Sequence, residues 1–381
     1  SSDVCSSDLI ALTDAGNDFS GAVNLSNSGA FNIEMTDVNA IDLGVVTTGT
    51  GTFIVNAGTN ITDSGTQTVN GAATFNVGDG NNISLNDLAN TYNSTVTFAS
   101  AGALGNVTFV DTTAYDVQAG GLTVGGNLAI RAAGITQTGG ALSVAGTAGF
   151  DAGANVITLT NAANDFTGTV SLLNSGANAV QVTDVNAIDL GASDIGNGGF
   201  TINAGGAITQ TGGALTITGV SSFNAGANAI TLTDAGNDFV GAVSLSNSGA
   251  NDVAVTDSNA LQFGTVSVGT GAFTINAGGA ITQSSALTIA GASSFSAGAN
   301  AITLDNAAND FTGAVSLSNS AGTVTVVDVN AIDLGTVTVA NLNVTGVGIT
   351  QSGTITTTGS ASFNAGAGDI TLTDVTNDFG G

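Results

Sequence analysis

The chain has 381 residues and a formal charge of −27, with 28 acidic residues, one Arg, no Lys and no His. Nucleic-acid binding and attachment to anionic membranes both need clustered Lys and Arg, so that balance excludes them. The same absences exclude Ser–His–Asp, Ser–Lys and Cys–His nucleophile systems, His/Cys zinc sites and a P-loop.

Hydrophobic residues make up 42%, Gly is present 56 times and Pro is absent. Glu occurs once (Glu34), while Thr, Val, Ile and Ser dominate. With the long helix-favouring side chains scarce, the composition is that of a β protein able to bury a core. No run of 18 apolar residues and no signal peptide is visible.

In chain order, the first nine residues, SSDVCSSDL, match nothing downstream and read as a fused scar outside the fold. They contain Cys5, the only cysteine, so no disulfide can form within the chain. Excluding Asp3 and Asp8 still leaves −25. From Ile10 onward one phrase returns six times, as Ile10–Phe19, Ile83–Tyr92, Ile157–Phe166, Ile230–Phe239, Ile302–Phe311 and Ile370–Phe379. Successive copies start 73, 74, 73, 72 and 68 positions apart. They divide the chain into repeats 10–82, 83–156, 157–229, 230–301, 302–369 and a partial 370–381. The missing initiator Met and the stop early in the sixth repeat read as a fragment.

Each repeat alternates apolar with small polar residues, as in Val243–Leu245, Val253–Val255, Phe273–Ile275 and Leu287–Ile289. Period two over three to five residues predicts short strands with one buried face. Clusters such as 247–252 and 276–279, rich in Gly, Asn, Asp and Ser, turn the chain between them. About eight strands per repeat, three to a coil, predict three coils of about 24 residues. The expectation is an all-β, right-handed parallel β-helix (solenoid) of about 15 coils, one continuous body over 10–381, roughly 70–75 Å long. Tandem β-sandwiches fit less well, because they need about 100 residues each and often a buried Trp, which is absent. Tyr92 and Tyr115 both fall in the most divergent repeat, 83–156.

Several polar and aromatic positions recur in register. Phe75, Phe150, Phe223, Phe295 and Phe363 close the repeats, with Phe53, Phe200 and Phe273 at mid-repeat; core stacking explains them better than a carbohydrate platform. Three Asp series also recur: Asp18, Asp165, Asp238, Asp310, Asp378; Asp37, Asp111, Asp184, Asp257, Asp328; and Asp42, Asp116, Asp189, Asp333. Catalytic residues are singular, whereas repeated Asp in a solenoid caps turns. No catalytic, cofactor or metal residue is therefore assigned. Calcium is the alternative reading of the acidic turns. Equivalent Asp three coils apart stand about 14 Å from each other, too far to share an ion. The calcium-roll nonapeptide has only a faint echo at 77–82. Arg131 stands in the slot of Asn203 and Asn276 and reads as drift at an exposed turn. Asn-x-Ser/Thr triplets at Asn24, Asn60, Asn82, Asn93, Asn106 and Asn343 are expected by chance in such a composition.

The phrases ITLTDAGNDF, GAVSLSNSGAN, VTDVNAIDLG, FTINAGGAITQ and ALTIAGASSF resemble the degenerate repeats of filamentous-haemagglutinin-type exoproteins and autotransporter passengers. The resemblance covers Ile10 to Gly381 and rests on repeat style. It implies a right-handed β-helical shaft exported to the bacterial cell surface by two-partner or autotransporter secretion, with a role in cell adhesion or biofilm formation. Its partners would be glycans or proteins of host or neighbouring cells, and exposed strand edges would favour end-to-end self-association. A calcium-stabilised surface-layer or matrix protein is the alternative. A polysaccharide-active enzyme, with its cleft in 83–156, is the third reading.

Overall fold

A computed structural model describes residues 9–380, which take in only Leu9 of the segment read as a scar. Those residues form strands of two to ten residues and no helix. They fall into two compact units, Ser1–Asp184 and Val185–Gly381.

Each unit is a parallel β-solenoid. In the first, Ile33 lies over Phe53, Ala73 and Val96 in turn, in steps of 20, 20 and 23. A second sheet runs Ile61, Ile83, Val107, Leu128, Ala148 and Val170, in steps of 22, 24, 21, 20 and 22. In the second unit Val253, Phe273, Ser293 and Val315 stack in steps of 20, 20 and 22. Ile302, Val324, Leu342 and Ala361 stack in the other sheet at 22, 18 and 19.

These steps correct the expected coil. A turn takes about 21 residues rather than about 24. The two units together hold about 18 turns rather than 15. A repeat of about 73 residues is then about three and a half coils. Within each unit the opening strand consequently changes sheet from one repeat to the next. Ile230 pairs with Ile208 and Val253, whereas its counterpart Ile302 pairs with Ile281 and Val324 in the other sheet. In the first unit Ile83 and Ile157 are divided in the same way.

The alternating pattern puts every second residue inside, so Ile, Val, Leu and Phe fill the coils. Phe75, Phe150, Phe223 and Phe295 are buried as expected, and Phe363 is half-buried. Neighbouring rings pack edge to face, as in Phe53–Phe75 (5.9 Å, 87°) and Phe200–Phe223 (5.7 Å, 77°). The glycine excess answers to the corners. A Cβ on Gly219 would lie 2.0 Å from the Gly198 carbonyl oxygen, and one on Gly241 would lie 2.2 Å from that of Gly219. Adjacent coils can close up at this corner only if the turn column lacks side chains.

Candidate functional site

In the second to fifth repeats the opening phrase is two half-strands around a five-residue loop. In the fourth repeat these are Ile230–Leu232 and Asp238–Phe239, and both pair with Ile208–Ile217. Asp234 folds the loop by accepting the Gly236 N–H at 2.8 Å, an Asx turn. The turn drives Asn237 into the core, where it is fully buried. Its Nδ2 donates to the Leu232 carbonyl (3.3 Å) and to Gln210 Oε1 (2.9 Å). Its Oδ1 accepts from Leu215 N–H (2.8 Å) and from Gln210 Nε2 (2.6 Å).

The same reciprocal amide pair joins Gln137 to Asn164 (2.7 and 2.9 Å), Gln283 to Asn309 (2.7 and 2.9 Å) and Gln351 to Asn377 (3.0 and 2.8 Å). In the first repeat Asp63 stands in for the Gln, accepting from Asn90 Nδ2 at 2.6 Å. Sequence reasoning missed this network, although both partners recur in plain view as the Q of AITQ and the N of NDF. The available signal was their constant separation of 26 or 27, which exceeds one coil by the width of the loop.

The three Asp series divide by depth. Asp165, Asp238 and Asp310 are half-buried, and Asp18 and Asp378 exposed. The series Asp37, Asp111, Asp184, Asp257 and Asp328 is 1–3% exposed. These carboxylates cap the coil: Asp37 accepts from Asn39 N–H and from Phe19 N–H, each at 2.7 Å, and Asp111 from Thr113 N–H (2.9 Å) and Tyr92 N–H (3.0 Å). The third series binds hydroxyls of the next coil, as in Asp42–Ser64 (2.8 Å), Asp116–Thr136 (2.7 Å), Asp189–Thr209 (3.0 Å) and Asp333–Thr350 (3.3 Å). Among the described residues no three acidic or cysteine side chains converge on a point where a cation would sit.

One region departs from this scheme. In the first unit Leu88, Val110, Asp111, Arg131, Ala132 and Asn155 line part of a surface hollow of about 310 Å³. Arg131 ends the strand Leu128–Arg131, and its side chain is 58% exposed. Its Nε lies 3.4 Å from Asp151 Oδ2 on the next coil. Arg131, read from the sequence as drift at an exposed turn, is ion-paired and lines the hollow.

A family model matches residues 30–99, 104–173, 177–246, 250–318 and 321–381, most of the chain. The chain belongs to the family of Repeats of unknown function (DUF5649). Comparison with curated proteins returned no match, and neither did comparison with solved structures.

In this DUF5649 chain three of the buried Asp caps, Asp111, Asp257 and Asp328, also make stability pH-dependent. Burial pushes the Asp257 carboxyl up to about 6, helped by Asp238 and opposed by the N–H groups of Asn259 and Phe239. Burial likewise raises Asp111 and Asp328, the latter with help from Asp310. The Oδ2 atoms of Asp257 and Asp328 are buried without a hydrogen-bond partner. With a folded-state value above the unfolded one, the native chain binds more protons than the unfolded chain between about pH 4 and 6. Stability therefore rises as pH falls through that window and is lost again as pH rises. The melting temperature should be higher at pH 4.5 than at pH 7.5. Asp257→Asn should flatten the difference, and a profile that falls on acidification would refute the assignment.

Proposed function

We propose that the chain is a structural and adhesive shaft segment of a large secreted bacterial surface protein, without catalysis. The observation that carries this reading is the use made of the repeated polar residues. Each repeat spends its Asp, Asn and Gln on capping turns and joining coils, which produces a scaffold whose repetition is its design. The strong acidity favours a body that stays solvated outside the cell and is not drawn to nucleic acid. The repeat phrases quoted above support placement with filamentous-haemagglutinin-type or autotransporter shafts, exported to the cell surface.

The test is retention of beads coated with the full chain on epithelial monolayers and on bacterial lawns, against beads coated with albumin. Several-fold higher retention is expected on at least one of the two surfaces. Equal retention on both overturns the adhesive part of the reading.

A further inference from the structure

In a chain built by repetition, the informative positions are those that break the repeat. Two such breaks line the hollow in the first unit, and a third pairs with one of them. Where the other full repeats carry Ala15, Ala162, Ala235 and Ala307, and the partial last one Val375, the second carries Leu88, 68% exposed. Where Asn56, Asn203 and Asn276 stand elsewhere, this repeat has Arg131, the only basic residue of the chain. Where Asn76, Asn224, Ser296 and Asn364 stand elsewhere, it has Asp151.

These residues are 43 and 20 positions apart in sequence, yet Leu88 and Arg131 line one hollow and Asp151 pairs with Arg131 at 3.4 Å. The small residues Ala132, Ala133, Ala152 and Gly153 floor the space.

We propose that this hollow is a binding site for a neutral sugar unit of a glycan, an inference that deepens the adhesive reading and rests on it. Leu88 and the alanines offer an apolar face to the C–H face of a pyranose. Arg131, held by Asp151, supplies N–H donors, and Asn155 an amide that both donates and accepts. Few, convergent polar groups on an apolar floor are the usual form of a small-ligand site, and about 310 Å³ lies at the small end of the range for such sites.

The charge balance selects the ligand class. Arg131 is neutralised by Asp151, Asp111 adds an acid to the wall, and the chain as a whole carries −27, so an anionic sugar is repelled. A cationic ligand meets the guanidinium at the rim. A neutral hydroxylated ring meets neither penalty.

The test uses saturation-transfer NMR on the full chain with methyl glycosides of glucose, galactose and N-acetylglucosamine, and with glucuronate as the anionic arm. The variants Arg131→Asn and Leu88→Ala restore residues that other repeats carry at these positions, so folding is protected, and unchanged melting checks it. Saturation transfer to at least one neutral glycoside is expected, weakened ten-fold or more in both variants. No transfer to any neutral glycoside, equal transfer in the variants, or Arg131-dependent transfer to glucuronate alone would overturn the proposal. Bead retention separates the two readings. Wild-type retention without saturation transfer removes the sugar site and leaves the shaft adhesive. Saturation transfer without retention keeps the site and removes the adhesive role.

Discussion

Asn237→Ala destabilises the second unit by about 3–5 kcal/mol, the largest loss expected from removing a single polar side chain here. The deletion strands the Leu215 N–H, removes a donor from the Leu232 carbonyl and takes one partner from each end of the Gln210 amide, which keeps the Gly213 carbonyl (2.8 Å) and the Asp234 N–H (3.4 Å). A buried donor or acceptor left without a partner costs about 1–3 kcal/mol, and water has no ready route to a fully buried position. Because solenoid units need not melt in one step, the sharper readout is local. Amide exchange at Leu215 should accelerate by two or more orders of magnitude, ahead of amides several coils away. Replacing Gln210 and Asn237 together by Leu should cost less than the sum of the single Leu changes, since neither amide is then orphaned. Leu215 exchange at the wild-type rate in Asn237→Ala would contradict the network.

Phe223→Ala costs about 3–5 kcal/mol by removing a ring from the middle of an aromatic column. Phe223 is fully buried and meets Phe200 at 5.7 Å and Phe239 at 6.1 Å, both edge to face. Each such pair adds about 0.5–1.5 kcal/mol to the area the ring buries. The coil cannot collapse onto the void, because its backbone is held by parallel pairing to Phe200–Ala204 on one side and Val243–Asn247 on the other. Phe223→Leu should retain most of the stability. Chemical denaturation of the three chains decides the matter. A loss below about 1 kcal/mol for the alanine variant would mean that the ring is not part of a close-packed core.

The strand class, the period and the inward direction of the phenylalanines were legible because they are local. Alternation decides which side chains point inward, and a self-similar phrase reveals its spacing without any fold. Coil length was not legible. A period of about 73 residues is compatible with three coils of about 24 or with three and a half of about 21. The choice lies in how closely corners such as Gly198, Gly219 and Gly241 stack, a contact between residues a full coil apart.

The polar positions show the same division. That Asp257 caps a turn follows from its type and neighbours. That its carboxylate is buried beside Asp238, and its proton held more tightly for that reason, depends on what the next strands cover. Gln210 and Asn237 are visible as repeated letters. Their pairing exists only because the Asx turn at Asp234 carries Asn237 inward at the height where Gln210 waits.

Sequence by itself determined that this is an acidic, all-β repeat chain without the side chains of most catalytic sites. Composition and periodicity are sums over local choices, and no folding is needed to read them. Only the tertiary structure decided that within each unit successive repeats present their opening strands on different sheets, and that Arg131 lines one hollow with Leu88 while pairing with Asp151. Both depend on the length of one coil, because stacking brings together residues about 20 positions apart and leaves sequence neighbours to diverge.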